Sequence, residues 1–100
     1  MTVWKVLIFV KSLPKTVAPY KQTPEFDETT IPKGLLKAHS TKGGVWGKIV
    51  ILEGELRYQI NEPEISYYTL DESCHGVVEP EIKHEVASLG KVRFYVEFYR

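Results

Sequence analysis

At 100 residues, 43% hydrophobic and 26% charged, the chain can build one globular core and not two. Lys plus Arg and Asp plus Glu both number 13, which argues against a nucleic-acid partner, since such partners are held by a basic surface. Cys74 is the single cysteine, so an internal disulfide is excluded and a reducing compartment fits. There is no run of about 18 apolar residues to span a membrane, and Met1 to Val10 has no cleavage site after its apolar run. The expectation is a cytoplasmic protein with a single domain over residues 1–100 and no membrane partner.

In chain order, Val3 to Val10 reads as a strand of β-branched and aromatic residues in which only Lys5 is polar. An uncovered strand of this kind at a sheet edge templates aggregation. The sequence therefore predicts a two-fold homodimer with Met1 to Val10 at or near its interface, the alternative being that the strand completes its own barrel with Lys5 at the rim. Pro14, Pro19 and Pro24 make Ser12 to Pro24 an extended loop. A short strand from Gly34 is expected to deliver His39. The glycines of Gly43-Gly44-Val45-Trp46-Gly47 serve a tight turn or bulge. Their spacing does not match a phosphate loop and no helix follows, so no nucleotide is expected.

Gly47 to Ile60 divides into two strands at Glu53-Gly54-Glu55. Val50, Leu52, Leu56, Tyr58 and Ile60 share one parity and are expected to face inward. Asn61-Glu62-Pro63-Glu64 forms a turn. Strands follow at Ile65 to Leu70, Val77-Val78, Glu85 to Ser88 and Val92 to Tyr99. In the last of these Val92, Phe94, Val96 and Phe98 alternate with Arg93, Tyr95, Glu97 and Tyr99, a period of two. No window keeps a helical period free of Gly and Pro. At least eight strands, with turn signals about ten residues apart, argue an all-β sandwich or barrel.

His39 and His84 head the residues that carry chemistry. His84 shares its parity with core-facing Val86 and points inward, whereas Leu35 and Leu36 leave the direction of His39 open. Imidazoles facing one cavity suit a divalent transition metal such as zinc, iron or manganese. The alternative is two structural or pocket-lining histidines without a metal. Glu97, between Tyr95 and Tyr99, is the candidate third ligand, and its alternative is a solvated outer-face carboxylate. Thr41, Trp46 and Tyr95 are candidate pocket residues for a small molecule or oxyanion, and Trp46 reads equally well as a core aromatic. Cys74 and His75 are adjacent and point to opposite faces, so they make no catalytic pair. His75 reads as an exposed turn residue, and no catalytic residue is assigned.

Several runs together carry a family resemblance: Tyr20-Lys21-Gln22-Thr23-Pro24, His39-Ser40-Thr41-Lys42, Val45-Trp46-Gly47-Lys48, Leu52-Glu53-Gly54-Glu55-Leu56, Val78-Glu79-Pro80, His84-Glu85-Val86 and Phe98-Tyr99. The chain, from about Leu13 to Arg100, resembles the small cupin family typified by the N-terminal domain of tellurite-resistance protein B and its YeaR-like relatives. The resemblance implies a cupin (RmlC-like) double-stranded β-helix or jelly-roll barrel and a stress-associated bacterial role. A cupin usually has two histidines and a glutamate in its first motif. Here Thr41 stands where the second histidine would fall, and Gly47 where the glutamate would. YeaR-like members have an acidic residue matching Glu97. Two-domain members continue into a methyltransferase, which is not expected in this chain.

Three functional classes follow. The first is a cupin that binds a metal or a small ligand in a response to tellurite or related oxyanions. The second is a metal-dependent cupin enzyme of dioxygenase or isomerase type, against which the altered first motif weighs. The third is a regulatory or oligomerisation module.

Overall fold

The computed structural model describes residues 12–100. The strand expected at Met1 to Val10, and the dimer argued from it, lie outside the described residues. Six strands form one sheet: β1 (Pro19–Gln22), β2 (Phe26–Asp27), β3 (Trp46–Ile60), β4 (Ser66–Leu70), β5 (Gly76–Val78) and β6 (His84–Tyr99). A 3-10 turn at Lys33–Leu35 is the one helical element among the described residues. The all-β expectation therefore holds. Among the described residues β3 and β6 each run through a point where the sequence suggests a break, so strands expected as pairs are continuous.

β3 and β6 are the frame. They pair antiparallel along their whole length, from Trp46 opposite Tyr99 to Ile60 opposite His84. β5 joins β3 beside Gly47 to Ile49, and β4 joins it beside Leu56 to Ile60. β1 and β2 line up along the last residues of β6. Side chains from both halves of β3 and β6 meet in one core that includes Ile49, Ile51, Leu56, Tyr58, Val86, Val92, Phe94 and Val96. Phe94, Leu56, Leu70 and Val92 are its largest fully buried side chains.

The register explains one departure from the sequence reading. The pairing shifts between Ile51 and Glu53 and again between Gly54 and Leu56. An extra residue on β3 flips the faces presented on either side of it. Ile49 and Ile51 are consequently buried before the bulge, and Leu56 and Tyr58 after it. Val50 and Leu52, expected to face inward, lie half-buried on the other face. Gly54 makes the bulge possible. Its φ is +78°, and a Cβ there would lie 1.9 Å from the Lys91 carbonyl oxygen. On β6 the predicted alternation is observed: Val92 and Phe94 are 0% exposed and Val96 is 8% exposed.

Candidate functional site

His84 is the first residue of β6, and backbone pairing brings His39 to it from the loop before β3. The His39 N–H donates to the His84 carbonyl at 3.0 Å, and the His84 N–H donates to the His39 carbonyl at 2.8 Å. A two-residue bridge of this kind, rather than the expected short strand, delivers His39. The two rings end in contact, with centroids 4.1 Å apart and planes at 58°. Tyr58 packs its ring edge-on to His84 at 5.9 Å and donates its hydroxyl to the Val77 carbonyl at 3.1 Å. Burial pushes the Tyr58 phenol well up from 10, with the charge of Glu79 adding to the shift.

Each imidazole is locked through the same atom. His39 Nδ1 lies 3.1 Å from the Lys37 carbonyl oxygen, and His84 Nδ1 lies 2.9 Å from that of Ile82. A carbonyl only accepts, so both Nδ1 atoms carry the proton and both Nε2 atoms keep a free lone pair. His84 is 4% exposed. Burial, foremost, lowers its pKa from 6.5 to about 4, and the neighbouring His39 adds to the effect while the Ile82 carbonyl opposes it. His84 is therefore neutral at pH 7. Every fully buried side-chain nitrogen and oxygen among the described residues has a partner. Among the described residues the His84 Nε2 has no hydrogen-bond partner, so it is not fully buried, and His84 lines open space.

That space is a cavity of about 540 Å³, within the usual range for small-molecule sites. Its walls are apolar, with Phe26, Leu35, Ile49, Val86, Phe94 and Phe98 prominent. Its polar lining comes from His39, His84, Thr23, Ser40, Thr41, Lys21 and Lys42, with Tyr20 beside them. Of the predicted pocket residues, Thr41 lines it and also donates its hydroxyl to the Val45 carbonyl at 2.8 Å, bracing the turn. Trp46 and Tyr95 fall outside the lining, because both have the parity of the opposite strand face.

Glu97 has that outer parity too. It pairs with Gln22 and Lys48 across the sheet, and its Oε1 accepts the Tyr99 hydroxyl at 2.9 Å. The structure brings His39 and His84 together and leaves Glu97 away from them. Gly47, at the position of the missing cupin glutamate, is buried against Val78, whose Cβ would lie 3.2 Å from a Cβ there. A side chain at this position would have to push the wall back. Among the described residues no group of three or more His, Cys, Asp or Glu side chains is placed to hold a metal. Two imidazoles fall short of the three protein ligands usual at a catalytic zinc, so the donor set is incomplete for a resident metal.

Two features escaped the sequence reading. His75 is half-buried, not exposed, and its Nδ1 accepts the Ile51 N–H at 3.0 Å. Burial lowers its pKa, as does Lys48 nearby. The lysines of the lining were also unassigned. The run Tyr20-Lys21-Gln22-Thr23-Pro24 held the signal for one of them. Its Thr23 hydroxyl accepts the Val96 N–H at 3.0 Å, which fastens this run along β6 at the cavity.

The TehB-like domain model matches residues 21–96. The chain belongs to the TehB-like family. It is 34% identical over 74 residues to a probable S-adenosyl-L-methionine-dependent methyltransferase TehB from Haemophilus influenzae. That match takes in 70% of this chain and 26% of the relative, so this TehB-like domain spans about a quarter of the curated relative's length. The crystal structure of Haemophilus influenzae TehB superposes with a TM-score of 0.78 at 29% identity, covering 85% of this chain and 32% of that one. An Escherichia coli K12 protein is matched nearly end to end, over 91% of this chain and 97% of the other, with a TM-score of 0.80 at 20% identity. A cupin-2 domain protein from Shewanella frigidimarina covers 100% of this chain with a TM-score of 0.52 at 11% identity. The last two speak for the fold alone: a small cupin-like β-barrel.

Proposed function

We propose that this TehB-like domain binds a small ligand inside its barrel, with His39 and His84 as the polar contacts, in a bacterial response to tellurite or related oxyanions. The observation that carries the reading is the pair of locked imidazoles. Both Nδ1 atoms are held by carbonyls, which leaves two lone pairs beside a largely apolar cavity. Apolar walls with a few oriented polar groups are what a small-molecule site requires. The link to oxyanion stress rests on family membership, and the relatives' methyltransferase activity is not part of the proposal.

A metal is the second reading, favoured by one specific feature. Metal-binding histidines commonly give their other ring N–H to a carbonyl, as both do here. His39 and His84 would be the ligands for a divalent ion, with the remaining positions filled from outside the chain. The bound ion would supply Lewis acidity. An enzyme of dioxygenase or isomerase type has less support, because the protein ligands stop at two.

A nuclear magnetic resonance screen of small fragments against the labelled chain tests the first reading. Hits should shift the amide signals of His84, Val86 and Val96, and His84→Phe should abolish those shifts. Hits confined to outer-face residues such as Tyr95 and Glu97 would overturn it. Elemental analysis of untagged protein, with His39→Ala as control, tests the second. Stoichiometric metal lost in the variant supports it, and no metal after growth with added zinc, iron and manganese refutes it.

A further inference from the structure

We propose that the ligand is a small organic anion with an apolar body and a hydrogen-bond donor, its donor set against His39 and His84 and its charge held at the cavity mouth by Lys21 and Lys42. The inference rests on the reading of the cavity as a ligand site and specifies what that site selects.

The hydrogen bonds of the two rings have a direction. With each Nδ1 hydrogen-bonded to a carbonyl, the tautomer this geometry selects turns an acceptor, Nε2, toward the cavity from both rings. The complement of two acceptors is a hydroxyl or N–H donor, and a bare carboxylate in that place would face lone pairs. A donor left out of a polar site built for it forfeits a hydrogen bond and leaves the site's own groups unpaired.

Charge is concentrated at one end of the cavity. Lys21 and Lys42 both line the cavity and are both exposed, which places them at its mouth. Arg100 lies 4.0 Å over the ring of Tyr20, another lining residue, and adds a third cation nearby. Among the described residues no Asp or Glu is in the lining. The Glu81 carboxylate lies against Gly43, and neither residue is in the lining. The chain as a whole has no net charge, so this is a local positive mouth and not a general basic surface. Clefts lined by one sign of charge concentrate ligands of the other.

The rest of the cavity wall is largely apolar. Phe26, Phe94 and Phe98 are all in the lining, and Phe26 and Phe94 meet edge to face at 5.6 Å. A flat or aliphatic body fits such a wall, and a bare inorganic anion does not.

Three matched compounds separate the parts of the proposal: para-hydroxybenzoate, para-methoxybenzoate and para-hydroxybenzyl alcohol. Each is titrated into the chain and into a Lys21→Gln/Lys42→Gln variant, with calorimetry for affinity and resonance shifts for location. Para-hydroxybenzoate should shift His39, His84 and Phe94. Methylating its hydroxyl should weaken binding roughly tenfold. The neutral alcohol should bind about three- to tenfold more weakly than the hydroxy acid, and the lysine variant should remove that difference without affecting the alcohol. If the alcohol binds as well as the acid, or the variant changes neither, the inference fails while the cavity reading survives. Equal binding of the hydroxy and methoxy acids also overturns the inference. If none of the three moves the cavity resonances at millimolar concentration, both the inference and the underlying reading fall.

Discussion

Lowering the pH from about 7.5 to about 4.5 should cost this domain about 2.5 kcal/mol through one side chain. His84 is 4% exposed and wedged between the rings of His39 and Tyr58. Charging it would put a cation into that packing beside a second imidazole. Its pKa is accordingly about 4 in the fold against 6.5 outside it. Between those values the unfolded chain binds the proton and the folded chain does not. Stability is therefore fully present above about pH 6.5 and drains away as the pH falls toward 4. At 1.36 kcal/mol per pKa unit the whole effect is about 3 kcal/mol, of which about 2.5 kcal/mol is spent by pH 4.5. The assay is urea unfolding of chelator-treated protein at both pH values, with His84→Gln measured alongside. His39, His75 and the carboxylates are common to both proteins, so the comparison isolates His84. The wild type should lose about 2.5 kcal/mol more than the variant on acidification. If the two fall in parallel, within about 0.5 kcal/mol, burial does not hold His84 neutral.

Three further outcomes follow from particular contacts. Gly54→Ala, whose methyl would meet the Lys91 carbonyl at a residue with φ of +78°, should cost more than about 3 kcal/mol in urea unfolding; a cost below about 1 kcal/mol would mean the bulge relaxes freely. His75→Phe leaves the Ile51 N–H without its acceptor and should cost about 1–3 kcal/mol, an estimate that an unchanged unfolding midpoint would contradict. Arg93 bridges Glu25 and Glu53 at 3.1 and 2.8 Å with nearly half its side chain exposed, so Arg93→Ala should barely lower the urea unfolding midpoint, and less still in high salt; a large drop would contradict this.

Much of this fold was legible because β6 keeps an unbroken alternation from Val92 to Phe98. β3 was harder. Its parity changes at Glu53-Gly54, and a change of one residue in a period of two cannot be seen from composition when Ile49, Val50, Ile51 and Leu52 are all apolar. The meeting of His39 with His84 was legible from the motif, but its cause was not. A backbone bridge between two residues far apart in sequence leaves no local pattern. Glu97, Trp46 and Tyr95 were drawn into the site by their chemistry, while their parity along the strands sets them on the opposite face from Phe94 and Val96. Lys21 and Lys42 sit in runs that read as loop and turn, where lysine is usually solvent-facing and carries no signal of its own.

The central claim is that His39 and His84 present free Nε2 lone pairs to one cavity, and a long-range proton–nitrogen correlation spectrum of the imidazoles at neutral pH tests it most directly. His75 is an internal control, since the Ile51 N–H donates to its Nδ1 and forces the opposite tautomer. The account predicts protonated Nδ1 and bare Nε2 in His39 and His84, and the reverse in His75. A protonated Nε2 in either His39 or His84 would contradict it.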